Sequence, residues 1–291
     1  MIPADALTVL YSGFFLGSLY AVMAMGLSLL WGTVGVLNFS HGAILTLGAY
    51  ITWWFLSITN NFIISILIAL PIFFIIGVIA DRGMITSLRR KPAALMISSM
   101  LATLAFGTVI ENFILITFGP RLKQLPLLIN WSYEAFEGYV ITGQELLISV
   151  VAIGTLLILW FFLKNTKIGM AMRAVSQDLD GATLVGINVN EVYTLTFAIS
   201  ALLAGVAGVL IGSKFFLTPT LGRTPFLIAF VIIIFGGLGS VKGTIVAAYI
   251  IGLLESSTLF LLGIFWIYPV DFIVMMIVLI IRPTGLFGDW A

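Results

Sequence analysis

The sequence predicts an all-α fold: a polytopic transmembrane bundle of about eight or nine helices, some of them short or interrupted by glycine. Three observations predict it. Hydrophobic residues fill 61% of the 291 positions and charged residues only 9%, with a mean hydropathy of +1.21, whereas soluble domains carry about 25% charged residues. No Asp, Glu, Lys or Arg occurs between Ala6 and Ala80, a stretch that holds three spans of about 20 residues each. The apolar runs are continuous instead of alternating, which excludes a β-barrel.

Taken in order, spans are expected near 6–30, 41–58 and 62–80, cut by polar turns at Gly32–His41 and Thr59–Asn61. The first has no Lys or Arg in Met1–Asp5 and is too long for a cleavable signal peptide, so it is expected to remain as the first helix. Further spans are expected near 94–117, 146–163 and 192–212. The stretch 226–281 breaks into short apolar runs separated by glycines, Glu255 and Tyr268-Pro269. It reads as one short span, a second near 243–262 and a last near 265–281. The whole chain, 1–291, reads as a single transmembrane domain.

Sidedness follows from the cations. Loops 81–92 (Arg82, Arg89, Arg90, Lys91) and 164–191 (Lys164, Lys167, Arg173) are two spans apart and therefore share a side. Their enrichment in Lys and Arg makes that side cytoplasmic. The alternate loops hold only Arg121, Lys123, Lys214 and Arg223, and the count carries Lys242 and Arg282 inside. The expectation is a multi-pass protein of the cell (inner or plasma) membrane, N-terminus outside and C-terminus cytoplasmic.

Several functions are excluded. A net charge of +1 lacks the basic excess that nucleic-acid binding uses. With no cysteine there is no disulfide or thiolate site, and the single His41 speaks against a histidine-built metal centre or a Ser-His-Asp hydrolase. No P-loop occurs, since Gly239-Ser-Val-Lys-Gly-Thr244 has its Lys and Gly in the wrong order; neither His-Glu-x-x-His nor Gly-x-Ser-x-Gly is present. With no catalytic residue, metal site or cofactor motif of its own, the chain reads as a conduit and not as an enzyme.

The polar features are few. Within 164–191, Gly169 to Val185 reads as one short amphipathic helix. Its apolar face carries Met172, Val175, Leu179, Ala182 and Val185, with Arg173, Gln177, Asp178 and Asp180 away from it. Such a face suits docking of a soluble partner or an interfacial helix on the inner leaflet; the residues alone leave both open. Two glycine-rich interruptions, Trp31–Gly42 and Phe235–Thr244, lie one in each half. Irregular backbone at membrane depth is tolerated only where protein or water satisfies it, and paired interruptions point to a transport pathway. On that ground Asn38, Ser40, Gly237 and Gly239 are pathway candidates, the alternative being ordinary interfacial turns. His41 joins them in the first interruption, where a packing role is the simpler reading. Glu111, deep in the run LATLAFGTVIENFILITF, is a candidate for a pathway or proton-linked role or for a structural hydrogen bond. Glu255 and Asp271 are expected near interfaces. Small-residue spacings at Gly13–Gly17, Ala201–Gly205 and Gly205–Gly208 suit close helix packing.

At these same segments the sequence resembles the permease subunits of branched-chain amino-acid ABC transporters. The resemblance is carried by Gly17–Gly32 running into Gly35-Val-Leu-Asn-Phe-Ser-His-Gly42, by Gly169–Asp178 continued through Ala182–Asn188, by Leu195–Leu210, and by Phe235–Thr244 with Gly252-Leu-Leu-Glu255. It spans nearly the whole chain and fits the shorter of the two paralogous permeases. It implies an importer of two permease chains (a paralogue or a second copy), two cytoplasmic ATPases that bind ATP-Mg, and an extracytoplasmic solute-binding protein. It also implies that the 164–191 loop is a coupling helix, with Gly169, Arg173, Asp178, Ala182 and Gly186 as the ATPase-docking residues. Here Asp180-Gly-Ala182, three residues and Gly186 is similar to the Glu-Ala-Ala-xxx-Gly core of importer permeases, departing at its first two positions. The wider family also serves urea, short amides and sugars. A stand-alone transporter with Glu111 as its proton-coupled carboxylate is the alternative from a different class.

Overall fold

The computed structural model describes residues 4–89, 95–136 and 139–288; Arg90 and Lys91 lie outside them. Twelve α-helical segments are found among these residues: α1 (Ala4–Val34), α2 (His41–Thr59), α3 (Phe62–Ala80), α4 (Thr86–Leu88), α5 (Leu95–Phe118), α6 (Gly143–Asn165), α7 (Lys167–Gln177), α8 (Leu179–Leu184), α9 (Val189–Gly212), α10 (Arg223–Gly236), α11 (Val241–Leu261) and α12 (Ile267–Ile281). A short hairpin, β1 (Ser132–Phe136) with β2 (Tyr139–Thr142), precedes α6. Eight segments are long and apolar enough to cross a membrane, and α10 is a shorter apolar helix. The all-α bundle of eight or nine helices is therefore present.

The third span runs farther than its apolar run. A π-helical stretch, Asp81–Ile85, joins α3 to α4, so the helix continues to Leu88. The reason is local satisfaction of a charge: the buried Asp81 carboxylate accepts from Thr194 Oγ1 at 2.6 Å and pairs with Arg89. Burial draws the Arg89 guanidinium below the ordinary arginine range, and Asp81 opposes that shift.

Two sets of helices repeat one packing scheme upside down. α1 packs along α11 as α3 packs along α9; α2 lies on α9 as α10 lies on α1; α2 contacts α3 as α10 contacts α11. In each set a long helix is followed by an irregular segment, 35–40 or 213–222, and then by a shorter helix. The long contacts are made close by glycine. A Cβ on Gly48 of α2 would stand 2.6 Å from the Gly205 Cα of α9. Gly13 and Gly17 admit Leu253 and Tyr249 of α11 in the same way. Without a hydrophobic drive between helices in lipid, such backbone approach supplies the association energy through dispersion.

The bundle has two distinct ends. One, here termed the basic end, gathers Arg82, Arg89, Lys164, Lys167, Arg173 and Lys242, and there Gly32 of α1 meets Gly239. At the other, the Lys214 Nζ of the 213–222 segment pairs with Glu145 at 2.5 Å, and Lys123 bridges to Leu217.

Candidate functional site

The two irregular segments leave opposite ends of the bundle and meet inside it. His41 opens α2, yet its Nε2 donates to the Met23 carbonyl at 3.0 Å. Met23 lies 11 residues before the end of α1, about 16 Å up the helix at 1.5 Å per residue. The chain from Gly35 to Ser40 therefore climbs back into the bundle before α2 begins. From the other side, 213–222 descends to Gly222, whose N–H donates to Thr46 Oγ1 of α2 at 2.8 Å. A Cβ on Gly42 would stand 2.9 Å from Phe226 Cβ of α10 and would strike the Gly222 carbonyl. Glycine is required at both positions for the two helix starts to touch.

The irregular backbone is satisfied locally, as membrane depth demands. Asn38 Oδ1 accepts from the Ser40 N–H at 3.0 Å and from Ser40 Oγ at 2.6 Å. The Phe39 N–H donates to Thr103 Oγ1 of α5 at 3.0 Å. His41 Nδ1 and Ser200 Oγ remain buried without a hydrogen-bond partner among the described residues.

Glu111 of α5 reaches this junction and is paired. Arg223, the first residue of α10, donates through Nε to Glu111 Oε1 at 2.9 Å and through Nη2 to Oε2 at 2.6 Å. Two depth estimates agree. Glu111 stands 16 residues from the basic end of α5, about 24 Å. Arg223 stands a 14-residue helix, about 21 Å, from the same end. Both distances fall short of a hydrocarbon core about 30 Å thick, which sets the pair at membrane depth if the described start of α5 marks the bilayer surface.

Glu255 and Asp271, expected near interfaces, stand six residues from the end of α11 and four from the start of α12. Both are buried. Glu255 is 14 residues into α11, about 21 Å from the basic end. Tyr20 of α1 donates its hydroxyl to Glu255 Oε2 at 2.5 Å, and Asp271 faces Glu255 from α12.

At the basic end, the expected single helix over Gly169–Val185 is two. Asp178 adopts extended backbone (φ −152°, ψ 104°), ends α7 and caps α8, its Oδ1 accepting from the Gly181 N–H at 3.0 Å. The break also redirects the apolar face. Met172, Val175 and Ala182 are buried, whereas Leu179 and Val185 are exposed, with Leu184 beside them.

The other singled-out residues divide by place. Asn38, Ser40 and His41 lie at the mid-membrane junction, one α5 turn from Glu111 through the contact of Gly107 with Ser40. Gly237 and Gly239 do not join them: they form the turn from α10 to α11 at the basic end, with positive φ of 102° and 82°. The irregular segment corresponding to 35–40 is 213–222, so the two interruptions paired from sequence are not equivalent in the fold. Gly169 packs on Leu163, Arg173 Nη2 donates to the Lys164 carbonyl at 3.3 Å, Ala182 is buried, and Gly186 takes φ 84°. Arg223 was missed as a site residue because it reads as a loop cation. The signal that points to it is the shortness of the apolar run that follows.

Inverted helix sets, irregular backbone meeting at membrane depth and a charged pair beside it define a polytopic membrane transport subunit. The comparisons name the family. A model of the permease component of branched-chain amino acid transport systems matches residues 9–281, and the chain belongs to that family. It is 30% identical to the high-affinity branched-chain amino acid transport system permease protein LivH of Escherichia coli (strain K12), over 96% of this chain and 94% of that protein. It is 28% identical to the corresponding protein BraD of Pseudomonas aeruginosa, over the same shares. The ribose import permease protein RbsC of Haemophilus influenzae is 28% identical over 82% of this chain and 74% of its own. No solved structure matches.

Proposed function

We propose that this chain is the membrane-spanning subunit of an ATP-driven importer for branched-chain amino acids. A solute-binding protein delivers cargo outside, a paralogous permease or a second copy completes the pathway, and two cytoplasmic ATPases dock at the basic end. The N-terminus is then outside and the C-terminus cytoplasmic. Binding and hydrolysis of ATP in the partners move α7 and α8, which shift the bundle so that access alternates across the junction of α2 and α10.

The observation that carries the reading is the α7–α8 unit. Its inner face is anchored by Met172, Val175 and Ala182, while Leu184 and Val185 stand 87% and 77% exposed at its tip. Two neighbouring aliphatic side chains projecting from a polar helix pair suit a cleft in a soluble protein. The names of LivH and BraD supply the cargo class. Urea or a short amide would use the same assembly, and only the cargo assay separates them. The proton-coupled alternative is disfavoured by the bidentate Arg223–Glu111 pair, which holds the carboxylate in a charge-assisted clamp.

The test is co-purification from native membranes followed by uptake. The wild-type chain should bring down an ATPase, and the recovered complex, reconstituted in proteoliposomes with its solute-binding protein, should take up leucine only with ATP. Leu184→Asp with Val185→Asp should reduce ATPase recovery at least about tenfold, equivalent to about 1.4 kcal/mol, without altering the thermal transition of the chain. Leucine uptake by the chain alone, driven by a pH gradient without ATP, overturns the reading.

A further inference from the structure

Arg223 and Glu111 line a cavity of about 260 Å³ between α2, α5 and α10, whose remaining wall is largely apolar: Phe39, Leu104, Phe226 and Leu227. The space holds several waters and opens at one side, so it can admit a small solute. Within the pair, the Arg223 side chain is 66% exposed and that of Glu111 15%. An ion pair open to this extent at membrane depth cannot face hydrocarbon; it faces a water-filled path or another protein chain.

We propose that the Glu111–Arg223 pair opens to receive an α-amino acid in its zwitterionic form as the solute crosses. Its carboxylate takes the planar fork of Arg223, which suits bidentate carboxylate binding, and its ammonium takes the Glu111 carboxylate. Its aliphatic side chain lies against Phe39, Leu104 and Phe226. The charge-assisted bonds between the two side chains are exchanged for bonds of the same kind to the ligand, so neither charge is left unpaired. Entry and exit both stay easy, as a transit site needs. The charges also discriminate: a neutral sugar, the cargo class in the RbsC name, offers hydroxyls to both side chains but no opposite charge to replace the one each gives up. The inference rests on the importer reading above and deepens it.

The test uses the full-length chain in nanodiscs and ligand-observed saturation-transfer NMR. The probes are L-leucine, 4-methylpentanoate (no ammonium), isopentylamine (no carboxylate) and ribose. Leucine should bind at least about tenfold more tightly than either half-ligand, the effect of one charge-assisted bond, and ribose should bind more weakly than leucine by at least the same factor. Glu111→Gln should weaken leucine about tenfold and tighten 4-methylpentanoate, which no longer competes with Glu111 for the Arg223 fork; Arg223→Gln should tighten isopentylamine instead. Equal binding of leucine and both half-ligands to the native chain, a measurement that needs no variant, overturns the proposal, as does leucine binding unchanged in both variants. ATP-driven leucine uptake by the intact importer separates the two levels. Uptake without discrimination at the pair removes the subsite and leaves the importer reading; absence of any branched-chain uptake removes the importer reading itself.

Discussion

Two acidic centres lie at nearly the same depth and solve the problem of burial differently. Glu111 holds a bidentate arginine and opens onto a cavity. Glu255 sits among α1, α11 and α12 with a tyrosine as its donor, and the Asp271 carboxyl lies against it. No salt bridge to Glu255 or Asp271 is found among the described residues. A charge at the bilayer centre costs about 2.5–3.5 kcal/mol on insertion scales, so depth alone would make both centres equally suspect. Exposure separates them. The ion-paired centre is the more exposed, which suits exchange with a solute; Glu255 and Asp271 are buried, with Asp271 at the wall of a largely apolar cavity, which suits a fixed joint between helices.

The sharpest way to break that contrast is Tyr20→Phe. The phenol donates to Glu255 Oε2, and the only other polar neighbour found for this carboxyl among the described residues is the acidic Asp271. Removing the hydroxyl leaves a buried acceptor without a bond, at about 1–3 kcal/mol. The variant should lower the thermal transition of the purified chain by several degrees while leucine binding at Glu111–Arg223 stays as in the wild type. A variant of wild-type stability with impaired leucine binding would move the functional centre to α11 and α12.

How much of this could be read beforehand depends on distance along the chain. The spans were legible because each is a continuous apolar run whose length the bilayer dictates, and the amphipathic loop was legible from its 3.6-residue period. The break at Asp178 was not, since helix continuation and a side-chain cap differ by little energy and both fit Ser176-Gln-Asp178. The ion pair was out of reach: Glu111 and Arg223 are 112 positions apart and meet only because 213–222 turns inward. Nothing local distinguishes that segment, with its Lys214 and Thr218-Pro-Thr220, from a surface loop. The same holds for Glu255, whose neighbourhood depends on α1 and α12 together.

A smaller effect is expected at the accessible centre. A double-mutant cycle over Glu111→Gln and Arg223→Gln should return a coupling energy of about 0.5–1 kcal/mol, reduced because Arg223 is two-thirds exposed. If water reaches the pair, raising salt from about 0.1 to 1 M shortens the Debye length from about 10 to 3 Å and should weaken the coupling. Coupling that is indifferent to salt in the isolated chain but lies above about 2 kcal/mol belongs to a desolvated pair and would erase the contrast with the buried centre.

The smallest change tests whether the buried centre uses its second charge at all. Asp271 is the buried residue of α12, and its carboxyl lies within hydrogen-bonding reach of that of Glu255. Asparagine has nearly the same shape and presents an amide N–H to the Glu255 carboxyl in place of a second acid. Asp271→Asn should therefore leave the thermal transition within about 0.5 kcal/mol of wild type or raise it by about 1 kcal/mol. Asp271→Leu, which removes the polar group without adding a donor, separates shape from bonding: it should fall below Asp271→Asn in the same melt. Stability lost in the asparagine variant and restored by no neutral residue would show that the joint requires the carboxyl itself. The two centres would then differ in exposure but not in their dependence on charge.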